Sequence, residues 1–402
     1  MYKSTMATSL ADLTASITSA LANLPPQNDI QEPERFQVLG ALAQLQEALQ
    51  PPILGLHKLL FGHQALTTIG IAQGMGIFDA FTENEGSALT IDELKKKTKG
   101  DEQLLVRIMH SLASSGVFKE VDKETFQAKP LAPFLVTGTP TGQFVRHVRG
   151  CMRVNARLYD YFEANDFKYP VDAYDSPFQF AYETKDHYFE WLKKNPADQE
   201  AFNATMTLGH QFRGVEWFEY FPVEKKLQDT APDRAVFIDI GGGIGHDITE
   251  LKNRFPQLPG RFILQDLPDI IDNIPEPLSN EIEAVTYDMF TPQPVPQAKV
   301  YYMRTVLHDW PDKQALQALA RIHDAMADDS LLLINENTYP ETNVPYHSAC
   351  IDITMMEMFS SLERTEKQWI ALLEQARFRV VGIWKPEQHF TGSNALFEAV
   401  RA

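Results

Sequence analysis

Val236-Phe237-Ile238-Asp239-Ile240-Gly241-Gly242-Gly243-Ile244-Gly245 is an apolar run that ends in an acid and then in a glycine-rich turn. The apolar part has the length and composition of one buried strand. Glycines let the following backbone turn sharply and approach a ligand that a Cβ would exclude. A strand that feeds a helix through such a turn opens a parallel α/β sheet. The dinucleotide pattern G-x-G-x-x-G is not met, because His246 stands where its third glycine belongs. That argues against a nicotinamide cofactor.

Working downstream, strands are expected at Ala235–Ile240, Arg261–Gln265, Ile282–Thr286, Val300–Met303 and Ser330–Asn335. Helices alternate with them: from the glycine turn to Phe255, over Lys313–Met326, and over Glu366–Ala376. Apolar strands alternating with helices mean a sheet covered on both faces, an α/β Rossmann-like domain. Val380–Trp384 and Ala395–Val400 lie too close for a helical crossover and predict an antiparallel hairpin at the sheet edge. Asp266 ends the second strand, 27 positions after Asp239, where a carboxylate accepts both hydroxyls of a ribose. Its other reading is a loop or cap residue before Leu267-Pro268. After the third strand, Asp288 can take an adenine amino group and Met289 can cover the ring.

Upstream the texture is helical. Leu10, Leu13, Ile17, Leu21 and Leu24 share one helical face, Pro25-Pro26 ends that helix, and a second periodic stretch runs from Val38 to Leu49. The first helix is expected to dock on another subunit. Residues 53–80 are helical again, and Thr90-Ile91-Asp92-Glu93 reads as a capping box. A helix at Asp101–Ser114 and two strands, Val117–Val121 and Glu124–Ala128, complete a winged-helix pattern. Asp101 and Glu102 open the helix that would enter a DNA groove, where donors are needed, so nucleic acid is not the expected partner. Residues 131–232 are rich in aromatics, which is either core or the wall of a pocket for a flat organic molecule. Three regions follow: 1–130, helical and winged; 131–232, aromatic; 233–402, the α/β sheet.

The 402 residues carry a net charge of −18, which disfavours polyanions and suits a cationic cofactor with a neutral substrate. Two cysteines, Cys151 and Cys350, make no disulfide framework, and a reducing cytoplasmic setting is expected. No apolar run is long enough to span a membrane. No metal-ligand spacing of the H-x-x-x-H or C-x-x-C type occurs, so no metal is expected.

The segments D-I-G-G-G-I-G, Q-D-L-P, Y-D-M-F, L-H-D-W, N-E-N-T-Y-P and L-E-R-T occur in the order and spacing of another set of proteins. On them the whole chain resembles the caffeate-type S-adenosylmethionine-dependent O-methyltransferases, with fungal relatives acting on polyketides and alkaloid-like metabolites closest in look. The resemblance implies an N-terminal dimerisation region and a homodimer. It implies Asp239, Gly241, Gly243, Asp266, Leu267, Asp288 and Met289 around S-adenosyl-L-methionine. It implies His308 as catalytic base beside Asp309, with Glu336 and Glu363 orienting it, and Phe202, Met206, Met355 and Phe359 around the acceptor. Two positions depart from the pattern: Arg304 replaces the usual lysine four residues before the histidine, which alters the reach of the cofactor-side cation, and Tyr287 replaces a small residue beside the adenine.

The chemistry asks for these residue types in any case. A phenol or enol with a pKa near about 10 is a weak nucleophile at neutral pH and needs a base in hydrogen-bond reach. Histidine offers a neutral imidazole from an ordinary pKa of about 6.5. A carboxylate on its other nitrogen fixes the tautomer and stabilises the imidazolium that forms. The plain alternative for His308 is a core or capping residue ahead of the helix that begins at Pro311. A functional alternative keeps the cofactor unconsumed and uses its charge in a pericyclic or dehydrative step; the intact His308, Glu336 and Glu363 set favours transfer.

Overall fold

The computed structural model describes residues 9–26, 29–211, 214–274, 277–279, 281–387 and 394–402. Two compact units divide the chain, Met1–Ala65 and Leu66–Ala402. The first holds α1 (Leu10–Ala22), α2 (Glu32–Leu49) and α3 (Pro52–Phe61). Neither α1 nor α3 buries a residue, although Leu10, Leu21, Leu59 and Phe61 are large and apolar.

α4 (His63–Met75) carries the chain into the second unit, and α5 (Ile77–Glu83) follows. Next come β1 (Leu89–Thr90), α6 (Ile91–Lys97), α7 (Glu102–Ser114), β2 (Phe118–Asp122) and β3 (Thr125–Ala128). The expected capping box is present: Thr90 Oγ1 accepts from Glu93 N at 3.2 Å, and the Glu93 carboxylate accepts from Thr90 N at 2.8 Å. Asp101, one of the acids that argued against DNA, caps α7 by accepting from Leu104 N at 3.0 Å. The three short strands pair in the order β1-β3-β2, over a core that includes Phe78, Phe81, Leu105, Leu112 and Phe118.

Among the described residues, five α-helices cross the aromatic region: α8 (Pro140–Ala164), α9 (Pro177–Tyr182), α10 (Tyr188–Lys193), α11 (Pro196–Gln211) and α12 (Val223–Leu227). The sheet then runs β4 (Ala235–Ile240), α13 (His246–Arg254), β5 (Arg261–Asp266), α14 (Pro268–Ile271), β6 (Ile282–Thr286) and β7 (Val300–Arg304). It continues with α15 (Asp312–Ala325), β8 (Leu331–Asn337), α16 (Tyr346–Phe359), α17 (Glu366–Gln375), β9 (Phe378–Trp384) and β10 (Asn394–Arg401). The seven strands lie in the order β6-β5-β4-β7-β8-β10-β9. β6 to β8 are parallel, and β10 is antiparallel to both neighbours. The expected hairpin therefore forms, with its second strand inserted against β8 and its first left at the edge. Apolar clusters on the two faces, one around Ile238, Met303, Leu319 and Trp369 and one around Trp217, Phe237, Leu251 and Tyr302, account for the unbroken apolar strands.

β5 and β7 flank β4 on opposite sides. Strand order reverses there, which leaves a crevice beyond the carboxyl ends of these strands. Among the described residues, no helix is long and apolar enough to cross a membrane.

Candidate active site

The glycine turn leaves β4 with Gly241, Gly243 and Gly245 all at positive φ (69°, 61° and 83°), a conformation that a Cβ penalises. Gly241 N donates to Gln265 O at 2.8 Å, tying the turn to β5. Gly242, absent from the expected set, has its own reason to lack a side chain: a Cβ there would stand 2.5 Å from Asp239 Cγ. Around Gly243 the space a Cβ would take is open.

Asp266 lines the other side of this turn. Its Oδ2 accepts from Gly243 N at 2.8 Å and its Oδ1 from Leu267 N at 2.7 Å. Burial raises its pKa, and those two amides oppose the rise. Each oxygen keeps a lone pair for a further donor. Asp239 is fully buried, its Oδ2 has no hydrogen-bond partner, and burial pushes its pKa well up, with Asp247 and Asp266 adding to the effect.

At the end of β6, Asp288 is exposed and its Oδ1 accepts from Phe290 N at 3.0 Å. Met289 and Phe290 pack on the main core, where Phe290 meets Trp310 edge-on at 4.7 Å. Tyr287 turns into the same core and gives its hydroxyl to Thr291 O at 3.1 Å. Arg304 reaches Asp247 Oδ2 at 3.1 Å and Glu216 Oε2 at 3.5 Å. Tyr302 donates to the same Asp247 oxygen at 2.6 Å. The arginine is thus built into a buried acid network beside the glycine turn.

His308 sits in a one-turn 3-10 helix, Leu307–Asp309, just beyond β7. Its Nδ1 donates to Glu363 Oε1 at 2.9 Å, and its Nε2 lies 3.4 Å from Asp309 Oδ1. Glu336, on β8, accepts from Val306 N at 3.1 Å and Leu307 N at 3.0 Å through Oε1, while its buried Oε2 has no partner. Three acids and one imidazole therefore lie together in a largely buried cluster. Burial alone would lower the histidine's pKa; Asp309, Glu363 and Glu336 outweigh it and raise it to about 10. Burial raises Asp309 to about 6 and Glu336 to about 7, with the imidazolium opposing both. The neighbouring carboxylates therefore favour the imidazolium form of His308 over the neutral ring, whereas its sequence context alone suggested an ordinary value. The difference comes from Asp309 facing Nε2, a contact that adjacency in sequence does not specify. Among the described residues, no group of three or more His, Cys, Asp or Glu side chains is arranged to hold a metal ion.

Beside this cluster, α8, α9, α10 and α16 meet in an aromatic set that includes Phe178, Tyr188 and Phe359, with Phe202 and Met355 packed on its edge. Met206, one turn further along α11 from Phe202, is 51% exposed. Two residues outside the expected set hold the backbone of the His308 turn: Ser361 Oγ donates to His308 O, and Arg364 bonds the carbonyls of Leu307 and Trp310. Arg364 lies in the L-E-R-T segment, whereas Ser361 stands just ahead of it and carried no signal in the sequence.

The family model of the O-methyltransferase domain matches residues 168–379, and that of the O-methyltransferase dimerisation domain matches residues 57–138. Demethylsterigmatocystin 6-O-methyltransferase of Aspergillus flavus is 32% identical over 349 residues, 86% of this chain and 88% of the relative. The structure of LepI in complex with SAM superposes with a TM-score of 0.84 at 28% identity, over 98% of this chain and all of the other. A structure described as a pericyclic reaction enzyme gives 0.83 at 28% identity, over 98% of this chain and all of the other.

Proposed function

The chain belongs to the O-methyltransferase family, and from that premise we propose that it transfers a methyl group from S-adenosylmethionine to a hydroxyl of a small, largely apolar secondary metabolite. The observation that carries the reading is the His308–Glu363–Glu336–Asp309 cluster beside an aromatic helix set and next to the glycine turn.

The residues at the turn fit the cofactor. The open space at Gly243 admits a ligand, the Asp266 carboxylate is aligned by two amides, and the buried Asp239 Oδ2 lacks a partner. Asp266 would hold the ribose hydroxyls, Asp288 and Met289 the adenine, and Arg304 with Gly241, Gly243 and Leu267 the remainder. The bound cofactor supplies a methyl already activated on a sulfonium. The chain's own task is to orient the acceptor oxygen, keep water out and take its proton. Phe202, Met206, Met355 and Phe359 hold the acceptor ring. In its deprotonated form His308 takes the acceptor's proton at Nε2 once the acceptor hydroxyl replaces Asp309 there, Glu363 steadies the imidazolium so formed through Nδ1, and Glu336 holds the turn by its amides.

The chain carries a dimerisation domain, and the unburied faces of α1 and α3 support a homodimer formed through residues 1–130. Residues 131–232 then wall the acceptor pocket and 233–402 hold the cofactor. A well-behaved dimer in light scattering after deletion of residues 1–50 would remove α1 and α2 from that assembly and leave it to the dimerisation domain at 57–138.

One observation favours a second reading. Three carboxylates stand around His308 and favour its protonated form, which is an acid before it is a base, and a pericyclic reaction enzyme shares this fold. On that reading the sulfonium stays intact and acts only by its charge. Mass spectrometry of products from extracted metabolites separates the two. Transfer adds one methyl and yields demethylated cofactor; an isomerised or dehydrated product with cofactor undiminished would sink the transfer reading.

A further inference from the structure

The catalytic turn is gripped along its backbone by one short segment. α16 ends at Ser360, whose φ of 57° is left-handed and reverses the chain. The next residues run beneath Leu307–Asp309. Ser361 Oγ donates to His308 O. Tyr169 OH donates to Ser361 O at 2.7 Å and braces the segment from behind. Glu363 supplies the partner of His308 Nδ1, and its own N donates to Asp352 Oδ1 at 2.9 Å. Arg364 then closes the grip. Its Nη1 donates to Leu307 O at 3.1 Å and its Nη2 to Trp310 O at 2.8 Å. Nη2 and Nε both donate to Asp312 Oδ1, at 2.7 and 3.1 Å. The guanidinium lies 4.9 Å over the Trp369 ring, and the side chain is 1% exposed.

A short 3-10 turn has few backbone bonds of its own with which to hold a side chain in place. Here the carbonyls of Leu307, His308 and Trp310 are all bonded by side chains from residues 361–364. A planar fork with five donors reaches two carbonyls and a carboxylate together; an ammonium on a flexible stem does not. Arg364 touches neither the imidazole nor the space beside it, so its influence on the ring passes through the backbone of the turn.

We propose that Arg364, assisted by Ser361, is a positioning residue that holds His308 in line with its acceptor by fixing the carbonyls on both sides of it. The inference rests on the transfer reading for its kinetic readout, and a spectroscopic readout tests it without that reading. Arg364→Gln lowers kcat by about 10- to 100-fold, the range for a displacement of about 1 Å, while KM for the acceptor and Kd for the cofactor stay within about twofold. Arg364→Lys keeps the charge, loses the fork, and stays near the Gln variant. Ser361→Ala, which removes one bond at the edge of the grip, lowers kcat by roughly three- to tenfold. In protein carrying ¹⁵N-histidine, the Nδ1–H signal of the His308–Glu363 bond, assigned by its loss in His308→Ala, broadens or vanishes in Arg364→Gln.

Wild-type kcat in folded Arg364→Gln overturns the proposal. So does full recovery by Arg364→Lys, which would make charge the operative property. A matched loss of cofactor affinity and melting temperature with an unchanged Nδ1–H signal would make the residue merely structural. Should Arg364→Gln fail to fold, wild-type kcat in Ser361→Ala is the overturning result. Absence of methyl transfer by the wild type strikes the transfer reading and leaves the Nδ1–H comparison standing.

Discussion

On the reading proposed above, the cofactor side and the acceptor side of this site are built in different ways. On the cofactor side the chain offers backbone: a turn with three glycines at positive φ, an amide of that turn on Asp266, and a glycine whose missing Cβ makes room for Asp239. On the acceptor side it offers side chains gathered from distant segments, Tyr188, Phe202, Met355 and Phe359 on three helices, against an imidazole held by residues 309 and 363. A backbone cradle tolerates little change and fits a constant ligand. A wall of side chains can be rebuilt residue by residue, which suits a family whose acceptors differ.

The two sides should therefore fail separately. The largest effect is expected at His308. His308→Ala should lower turnover by about 10²–10⁴-fold, the usual range for loss of a general base. Cofactor affinity should barely move, and alkaline pH should partly restore the rate as the acceptor ionises in solution. Stopped-time product assays with parallel calorimetry check both halves, and a matched fall in cofactor affinity would show that the sides are not separable.

Next in size is the reciprocal change. Asp266→Ala removes a carboxylate already aligned by Gly243 N and Leu267 N, and leaves those amides and the ribose hydroxyls unpaired. A cost of about 2–3 kcal/mol follows for a buried charged acceptor. That is a loss of roughly 30- to 150-fold in the affinity for demethylated cofactor, read by calorimetry. Unchanged affinity would reduce Asp266 to a residue of its loop.

The same contrast explains what could be read in advance. The strand, the turn and Asp266 lie within one strand–helix–strand unit, where apolar runs and glycine placement report local geometry; the Thr90–Glu93 capping box was legible for that reason too. The closing hairpin was legible as a pair, but the insertion of β10 beside β8 depends on sheet order. Arg304 could be noted as a departure from a pattern, yet its engagement with Asp247 and Glu216 joins segments about 57 and 88 positions apart. Ser361 and Arg364 grip a turn more than 50 positions upstream, a relation no periodicity encodes. The residue types of the acceptor side were visible, but the field they create together was not.

That field sets the smallest and sharpest prediction. The charged groups facing His308 are Asp309 at Nε2, Glu363 at Nδ1 and Glu336 under the turn. Together they raise its pKa to about 10. A base must start deprotonated, so kcat/KM should climb with pH through neutrality and level off only near that value. The charge of Asp309 is the largest single contribution that raises it. Asp309→Asn removes that negative charge, destabilises the imidazolium and lowers the histidine's pKa. The rising limb should then move about 1–3 units towards acid, the span expected for losing one opposite charge in contact. Below neutrality the variant should lose proportionately less activity than the wild type, whatever its plateau rate. An unmoved limb would mean that the titrating group is the acceptor hydroxyl and not His308. A limb of opposite slope, with activity falling as pH rises, would mean that the imidazolium itself is the working species, and the acceptor side would then be read as a proton donor.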